Sequence, residues 1–286
     1  AIAAGISPDL AARALPDDLA VNERILALDR KQPEKTITFE RYKKNVVTKS
    51  RILEGRRHMQ ENARLLQEIS DRYGVEPEYI AALWGIETSF GRMTGGFEII
   101  PALATLAYEG RRGDFFRAEL LKALKIVDAG HIFLHEMRGS WAGAMGQCQF
   151  MPSSFEKFAQ DHNGDGRRDI WGTRADVFAS IAAYLSQTGW KRGQVFTVPV
   201  RLPKDFDKAL LTIDVQKPVA EWQAMGLRRQ DGTDLPVAVS DLASVVQPGG
   251  EGYKSYIVYD NYRVIMDWNR STYFATAVGF LAEALK

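Results

Sequence analysis

The chain has 286 residues, 45% of them hydrophobic and 26% charged, and a formal net charge of +1. That is enough apolar mass for one large domain or two to three small ones, while a charge so near zero excludes the strong field that nucleic acid or an anionic membrane calls for. A single cysteine, Cys148, excludes an internal disulfide framework, and no apolar run approaches the roughly 18 residues of a membrane span.

The opening AIAAGISPDL has no basic region followed by an apolar one and reads as a mature or trimmed N-terminus. The first forty residues are mixed, and DRKQPEKTITFERY reads as an extended polar connection. From about Thr48 to Tyr73, apolar residues such as Ile52, Met59, Leu66, Ile69 and Tyr73 recur at helical spacing. Gly74 is expected just past the end of that helix. Pro77 is expected to open the next one, EPEYIAALWGIETSFGR. Helical texture continues over 101–108, 114–136, 152–160 and 174–189. Beyond Trp190 the runs GQVFTVPVRLP, ALLTIDV, LPVAVSDLASVVQP and YKSYIVYDNYRVIMDW are rich in Val, Ile, Thr and Tyr. Pro, Gly and Asp cut them, so they read as strands and turns. STYFATAVGFLAEALK closes the chain as a helix. The expected fold class is α+β, mainly α, with a small β-rich insertion between roughly 193 and 258 and no internal repeat.

Glu87 stands out in YIAALWGIETSFGR. It follows Leu83 by four and Trp84 by three, which puts its carboxylate on the apolar side of the helix. Gly91, Gly95 and Gly96 end the helix soon after, and the negative end of the helix dipole disfavours a charged carboxylate. Partial burial acts in the same direction, toward a raised pKa. A protonated glutamate near neutral pH is what acid-catalysed cleavage of a glycosidic bond requires. The same pattern also describes a glutamate at a frayed helix end that reaches back to water. A second carboxylate, about 5–10 Å away in most glycosidases, is not evident: Glu98, Glu109 and Asp114 each read as well as solvated surface charge.

GIETSFGRMTGGFEIIPALATLAYEGRR, GSWAGAMGQCQFMPSSFEKFAQDHNGDGRRDIW and NYRVIMDWNRSTYFATAV, in this order, resemble the lytic transglycosylase B family of bacterial cell-wall enzymes. The likeness runs from about residue 38 onward and is least distinctive in the β-rich stretch. It implies a lysozyme-like catalytic core over 79–192, an N-terminal helical domain over 1–78, and a small β-rich domain over 193–258. A C-terminal segment, 259–286, would complete the groove and the helical body. The implied substrate and partner is peptidoglycan, with other cell-wall enzymes as further partners, in a monomeric periplasmic protein. Whether it is soluble or lipid-anchored would depend on sequence outside this chain. The implied reaction cleaves the β-1,4 bond between N-acetylmuramic acid and N-acetylglucosamine with no catalytic cofactor. One glutamate, at the position of Glu87, serves as acid and then base, and the muramyl C6 hydroxyl closes on C1 to leave a 1,6-anhydro sugar. An attacking group tethered to the substrate removes the need for a second carboxylate.

Ser140 and Gln149 match family positions that bond the acid or the sugars, Phe150 a subsite wall, Tyr184 an active-site tyrosine and Asn269 an asparagine. Trp268 replaces a frequent tyrosine, and either ring suits stacking on a sugar face. Relatives often carry tyrosine and glycine where this chain has Gln147 and Cys148, which bears on local subsite shape. The glycine-rich run also reads as a turn whose glutamines cap neighbouring backbone. Arg112, in EGRRGDFF, is a candidate partner for a peptide-stem carboxylate.

In DHNGDGRRDIWGTRAD, Asp161, Asn163 and Asp165 alternate before Gly166, the opening of a calcium loop. Gly172 stands where such a loop ends in a bidentate glutamate. The family's version is longer and closes on a later aspartate, matched by Asp176. A structural calcium or sodium ion is thus expected on Asp161, Asn163, Asp165, the Arg167 carbonyl and Asp176. Without a metal the segment is an Asp/Asn/Gly turn.

Three rival functions remain at this point: a hydrolytic muramidase, a non-catalytic peptidoglycan-binding protein, and a thiol hydrolase. The last would use Cys148 as nucleophile with His131 or His135 as base, but an apolar glycine-rich run does not activate a thiol.

Overall fold

The computed structural model describes residues 1–30, 37–235 and 241–286. The polar connection expected around 29–42 therefore lies partly outside the described residues, as does the start of the strand run at 235–248. In chain order the first helices are α1 (Pro8–Ala14), α2 (Glu23–Arg30), α3 (Phe39–Val46), α4 (Lys49–Glu61), α5 (Ala63–Tyr73) and α6 (Pro77–Thr88). Then come β1 (Phe97–Glu98), α7 (Ile99–Glu109), α8 (Gly113–Asp128), β2 (Arg138–Gly139), α9 (Pro152–Phe158) and α10 (Arg174–Gln187). The last part holds β3 (Thr197–Arg201), β4 (Lys217–Pro218), α11 (Val219–Ala224), β5 (Arg228–Arg229), β6 (Leu242–Val246) and β7 (Ser255–Val258). It ends in α12 (Asp260–Trp268) and α13 (Thr272–Leu285). Mainly helical with a small sheet, this is the expected fold class.

Local chemistry explains many of the boundaries. Pro8 and Pro152 open α1 and α9, where a missing N–H costs nothing. Thr38, Thr48 and Ser271 cap α3, α4 and α13 by accepting from backbone N–H groups. Gly74 ends α5 in the left-handed conformation at φ 68°, as expected. Four stretches depart from the sequence reading. The helix expected over 48–73 is two helices, parted at Asn62, whose side chain bonds the His58 carbonyl at 2.7 Å. The helix expected to reach 136 stops at Asp128, with Gly130 at φ 76°. ALLTIDV forms a 3-10 turn and loop, and DNYRVIMDW is helix α12. In both stretches short apolar runs fit either secondary structure until packing decides.

The chain divides into two compact units. One comprises residues 1–36 and 83–184, so the N-terminal stretch belongs with the central helices and not with 37–78. The bonds that tie it there are specific: Ser7 Oγ donates to Asp128 at 2.6 Å, and Asn22 N donates to Thr105 Oγ1 at 3.2 Å. Its core gathers Trp84, Leu103, Leu124, Met145, Phe155 and Phe178, all nearly fully buried.

The other unit comprises 37–82 and 185–286. Its antiparallel sheet has the order β4-β6-β7-β3-β5, with Val198 opposite Ile257 and Val245 also opposite Ile257. Val198 and Val200 point inward while Pro199 and Arg201 point out, the alternation of a strand with one covered face. Trp222 on α11 fills that core and donates its indole N–H to the Ala243 carbonyl at 2.9 Å. Among the described residues no helix is long and apolar enough to cross a membrane.

Candidate active site

Glu87 sits in the last turn of α6, next to the helix end at Thr88, and is half-buried. Trp84 behind it is buried, with Phe90 and Phe178 edge-on at 5.2 and 5.0 Å. Past Thr88 the backbone makes three successive left-handed residues: Ser89 at φ 49°, Phe90 at φ 61° and Gly91 at φ 84°. For an L-residue that conformation costs about 1–2 kcal/mol, so surrounding contacts must hold it. Burial of the Phe90 ring supplies one, and the Gly91 N–H donating to Thr88 Oγ1 at 3.0 Å supplies another. Gln149, at φ 51°, is the remaining non-glycine residue of this kind among those described. Such strain concentrates at functional sites, and here it marks the two segments that the sequence singled out.

The second segment, 139–150, folds back on itself. Ser140 N donates to the Ala144 carbonyl at 2.8 Å and Ala144 N to Ser140 Oγ at 3.0 Å; Met145 and Phe150 exchange both backbone bonds. Gln149 spends its two amide hydrogens on the Thr94 and Gly146 carbonyls, each at 3.0 Å. Its Oε1 is thereby aimed as an acceptor, and the Ser140 hydroxyl keeps its own proton to donate. Phe150 is 2% exposed and Tyr184 9%, with ring centroids 5.9 Å apart, so these two expected substrate contacts are paired within the core. The glutamines do cap backbone, as the plainer reading of the turn held. Gln147 is the more deeply embedded of the two.

Cys148 is fully buried and its thiol donates to the Val177 carbonyl at 3.6 Å. Burial, the nearby charge of Glu87 and that of Asp176 together push the thiol well above its ordinary pKa. His131 instead accepts from Arg168 N at 3.2 Å, and His135 is exposed against Phe133. A neutral buried thiol without a base is no nucleophile, and Cys148→Ser should retain at least about half of wild-type turnover, measured as soluble fragments released from sacculi.

Arg112 has another partner than the one expected. It is exposed, but its guanidinium donates to Asp29 Oδ1 at 3.0 Å and lies over the Phe116 ring at 4.7 Å. Arg111 holds the other oxygen of Asp29 at 2.6 Å. Asp29 is 3% exposed; burial alone would raise its pKa, but hydrogen bonds and charge from both arginines outweigh that and hold it below the usual carboxylate range. A lowered folded-state pKa adds stability above the unfolded value and loses it as pH falls toward the folded one. Asp29→Asn should therefore lower Tm by roughly 5 °C near pH 7, with the gap to wild type closing as melts are repeated below pH 4. Glu98 pairs with Arg138 at 3.1 Å, Glu109 accepts from Arg111 N at 3.1 Å, and Asp114 is exposed in the first turn of α8.

Trp268 ends α12 and is half-buried; Asn269 follows it, exposed, in extended backbone. Both belong to the unit of 37–82 and 185–286, whereas Glu87 belongs to the other.

The loop after α9 has the hydrogen-bond frame of a calcium loop. Asp161 accepts from the N–H groups of Gly164, Asp165 and Gly166 at 2.8, 3.2 and 2.8 Å. Asp165 accepts from Arg167 N at 2.9 Å and from Asn163 Nδ2 at 2.9 Å. Asp176 is a different matter. It is fully buried, and its two oxygens accept from His162 N and Asp169 N, each at 2.8 Å. Among the described residues no three His, Cys, Asp or Glu side chains converge as a metal site. Asp176 is thus a clamp on the loop backbone, and Asp161, Asn163, Asp165 and the Arg167 carbonyl are the other oxygen donors of the loop.

The family description of the transglycosylase SLT domain matches residues 1–283, and the chain belongs to that family. It is 32% identical over 252 residues to membrane-bound lytic murein transglycosylase B of Escherichia coli K12, covering 86% of this chain and 66% of that protein. The chain thus spans just under two thirds of that curated relative. Among solved structures, SltB3 from Pseudomonas aeruginosa in complex with NAG-NAM-pentapeptide matches with a TM-score of 0.95 and 40% identity. That match covers 99% of this chain and 76% of the other; a second structure holds the same protein with NAG-anhNAM-pentapeptide. Slt35 from E. coli in complex with calcium matches with a TM-score of 0.82 and 30% identity, over 93% of this chain and 83% of that one.

Proposed function

We propose that this chain is a lytic transglycosylase that cleaves the β-1,4 bond between N-acetylmuramic acid and N-acetylglucosamine in peptidoglycan. The observation that carries the reading is a half-buried Glu87 at the end of α6, held beside a strained turn, in a chain akin to a protein crystallised with both NAG-NAM- and NAG-anhNAM-pentapeptide. Glu87 gives its proton to the bridging oxygen as the C1–O4 bond breaks. The muramyl C6 oxygen then bonds to C1, and its proton passes to the Glu87 carboxylate, which restores the acid. Ser140 and Gln149 supply neutral dipoles beside the reacting sugar, where a fixed charge would disturb the acid. Phe150 and Tyr184 back that surface from the core, and Trp268 and Asn269 contact the glycan strand. The working compartment is the periplasm, with peptidoglycan as the partner.

Mass spectrometry of fragments released from purified sacculi tests this. Anhydro-muramyl ends are expected. Reducing ends, heavier by one water, would make the protein a muramidase, and binding without release would make it a glycan-binding module.

A calcium or sodium ion in the 161–176 loop is the second part of the proposal, held by Asp161, Asn163, Asp165, the Arg167 carbonyl and Asp176. The spacing of these donors and the calcium complex of a relative support it. With no bidentate glutamate at the loop's twelfth position, where Gly172 stands, a Kd on the order of 10⁻³ M is expected. Calcium at several times that concentration should raise Tm by a few degrees and leave an Asp161→Asn variant unmoved; equal melts with calcium and with chelator would sink the site.

A further inference from the structure

Gln147 grips the two residues that bracket Glu87 on its helix. Its Oε1 accepts from Trp84 Nε1 at 2.7 Å, and its Nε2 donates to the Trp171 carbonyl at 2.6 Å. The Thr88 hydroxyl reaches its main-chain carbonyl at 3.1 Å, and its own N–H donates to the Ile170 carbonyl at 2.8 Å. Trp84 lies three residues before Glu87, on the same helical face, and Thr88 is the next residue. One buried amide side chain and its peptide group therefore join the last turn of α6 to the 161–172 loop. The fit also dictates a neighbour: a Cβ at Gly91 would overlap the Gln147 amide, with its Cδ at 2.7 Å. Only glycine leaves room there.

We propose that Gln147 is a positioning residue that fixes the Glu87 carboxyl for proton transfer, an inference that rests on reading Glu87 as the proton carrier. Proton transfer needs heavy atoms about 2.6–3.2 Å apart, and a displacement of about 1 Å can cost 10²-fold in rate. The turn after Thr88 is strained and cannot hold that tolerance by itself. Gln147 supplies the constraint through Trp84, three residues before Glu87, and Thr88, the residue after it.

Two variants separate positioning from plain stability. Gln147→Leu removes both amide bonds; assayed well below its own Tm, it should lose about 10²-fold in kcat while KM changes by less than about threefold. Gln147→Glu is nearly isosteric. Neutral, its acid group accepts from Trp84 and donates to the Trp171 carbonyl; ionised, it can only accept and faces that carbonyl oxygen. Its rate relative to wild type should be near that of wild type at acidic pH and fall at least about tenfold by pH 8. The charged groups on the elements around it are Glu87, Arg92, Arg168, Asp169 and Asp176, and Gln147→Leu, which adds no charge among them, is the arm free of coupling to them. Wild-type kcat in folded Gln147→Leu, or a flat ratio for Gln147→Glu, overturns the proposal. Crystal structures give a readout independent of turnover, with the Glu87 carboxyl displaced by about 1 Å in Gln147→Leu. An inactive wild-type protein would refute the proton-carrier reading, whereas an unmoved Glu87 would refute the positioning role.

Discussion

Glu87→Gln is expected to reduce release of anhydro-muropeptides on the order of 10³-fold while leaving the fold and the affinity for sacculi close to wild type. Glutamine keeps the length and most of the hydrogen-bonding shape of glutamate, but it has no proton to give to the bridging oxygen and no carboxylate to receive one from the C6 hydroxyl. Both halves of the reaction run through that one group, so one substitution removes both. The other carboxylates weighed for the role offer no rescue: Glu98 is paired with Arg138, Glu109 receives the Arg111 N–H, and Asp114 stands in solvent. Glu87 is half-buried and glutamine fills nearly the same volume there, so Tm should shift by no more than a degree or two. Product release at more than about a tenth of the wild-type rate, from a preparation free of wild type, would refute the assignment.

Local signals account for what the sequence disclosed. Gly74 and Pro77 bound α5 and α6 because left-handed backbone and a missing N–H act at a single residue, whatever surrounds it. Glu87 was legible for the same reason: the helical period and the glycines that follow put it at a helix end, and there it lies. Tertiary packing decides the rest. HIFLHE has the texture of helix yet only a 3-10 turn forms over Leu134–Glu136, and the apolar run before Trp268 could be strand until α12 formed. Nothing local to Arg112 reveals that Asp29, far back in the chain, neutralises it. Likewise the role of Gln147 depends on Trp84 and Trp171, one 63 residues before it and the other 24 after it. The resemblance points to Gln149 and marks Gln147 only as a departure from the family's pattern. A side chain that acts through contacts distant in sequence leaves no periodic trace.

Gly95→Ala should be the most damaging single-methyl addition around the site, with Gly96→Ala as its near-neutral control. Gly95 has φ 96°, in the region that costs an L-residue about 1–2 kcal/mol. A Cβ there would overlap the Gly139 carbonyl and stand 2.7 Å from Ser140 N. Both are backbone atoms and no rotamer change relieves them. The 91–98 turn would have to lift away from the 139–150 loop, breaking the β1–β2 ladder that sets Phe97 opposite Gly139 and the bond from Gln149 to the Thr94 carbonyl. Backbone strain and overpacking together suggest a loss of about 3–5 kcal/mol, or a fall in Tm of roughly 10 °C. At Gly96 a Cβ meets nothing within 4 Å, so alanine there should melt within about 2 °C of wild type. Because the same contact holds Ser140 and Gln149 in place, Gly95→Ala should also lose more turnover than its folded fraction explains. Equal melting temperatures for the two variants would mean that the turn and the loop do not meet as closely as these glycines require.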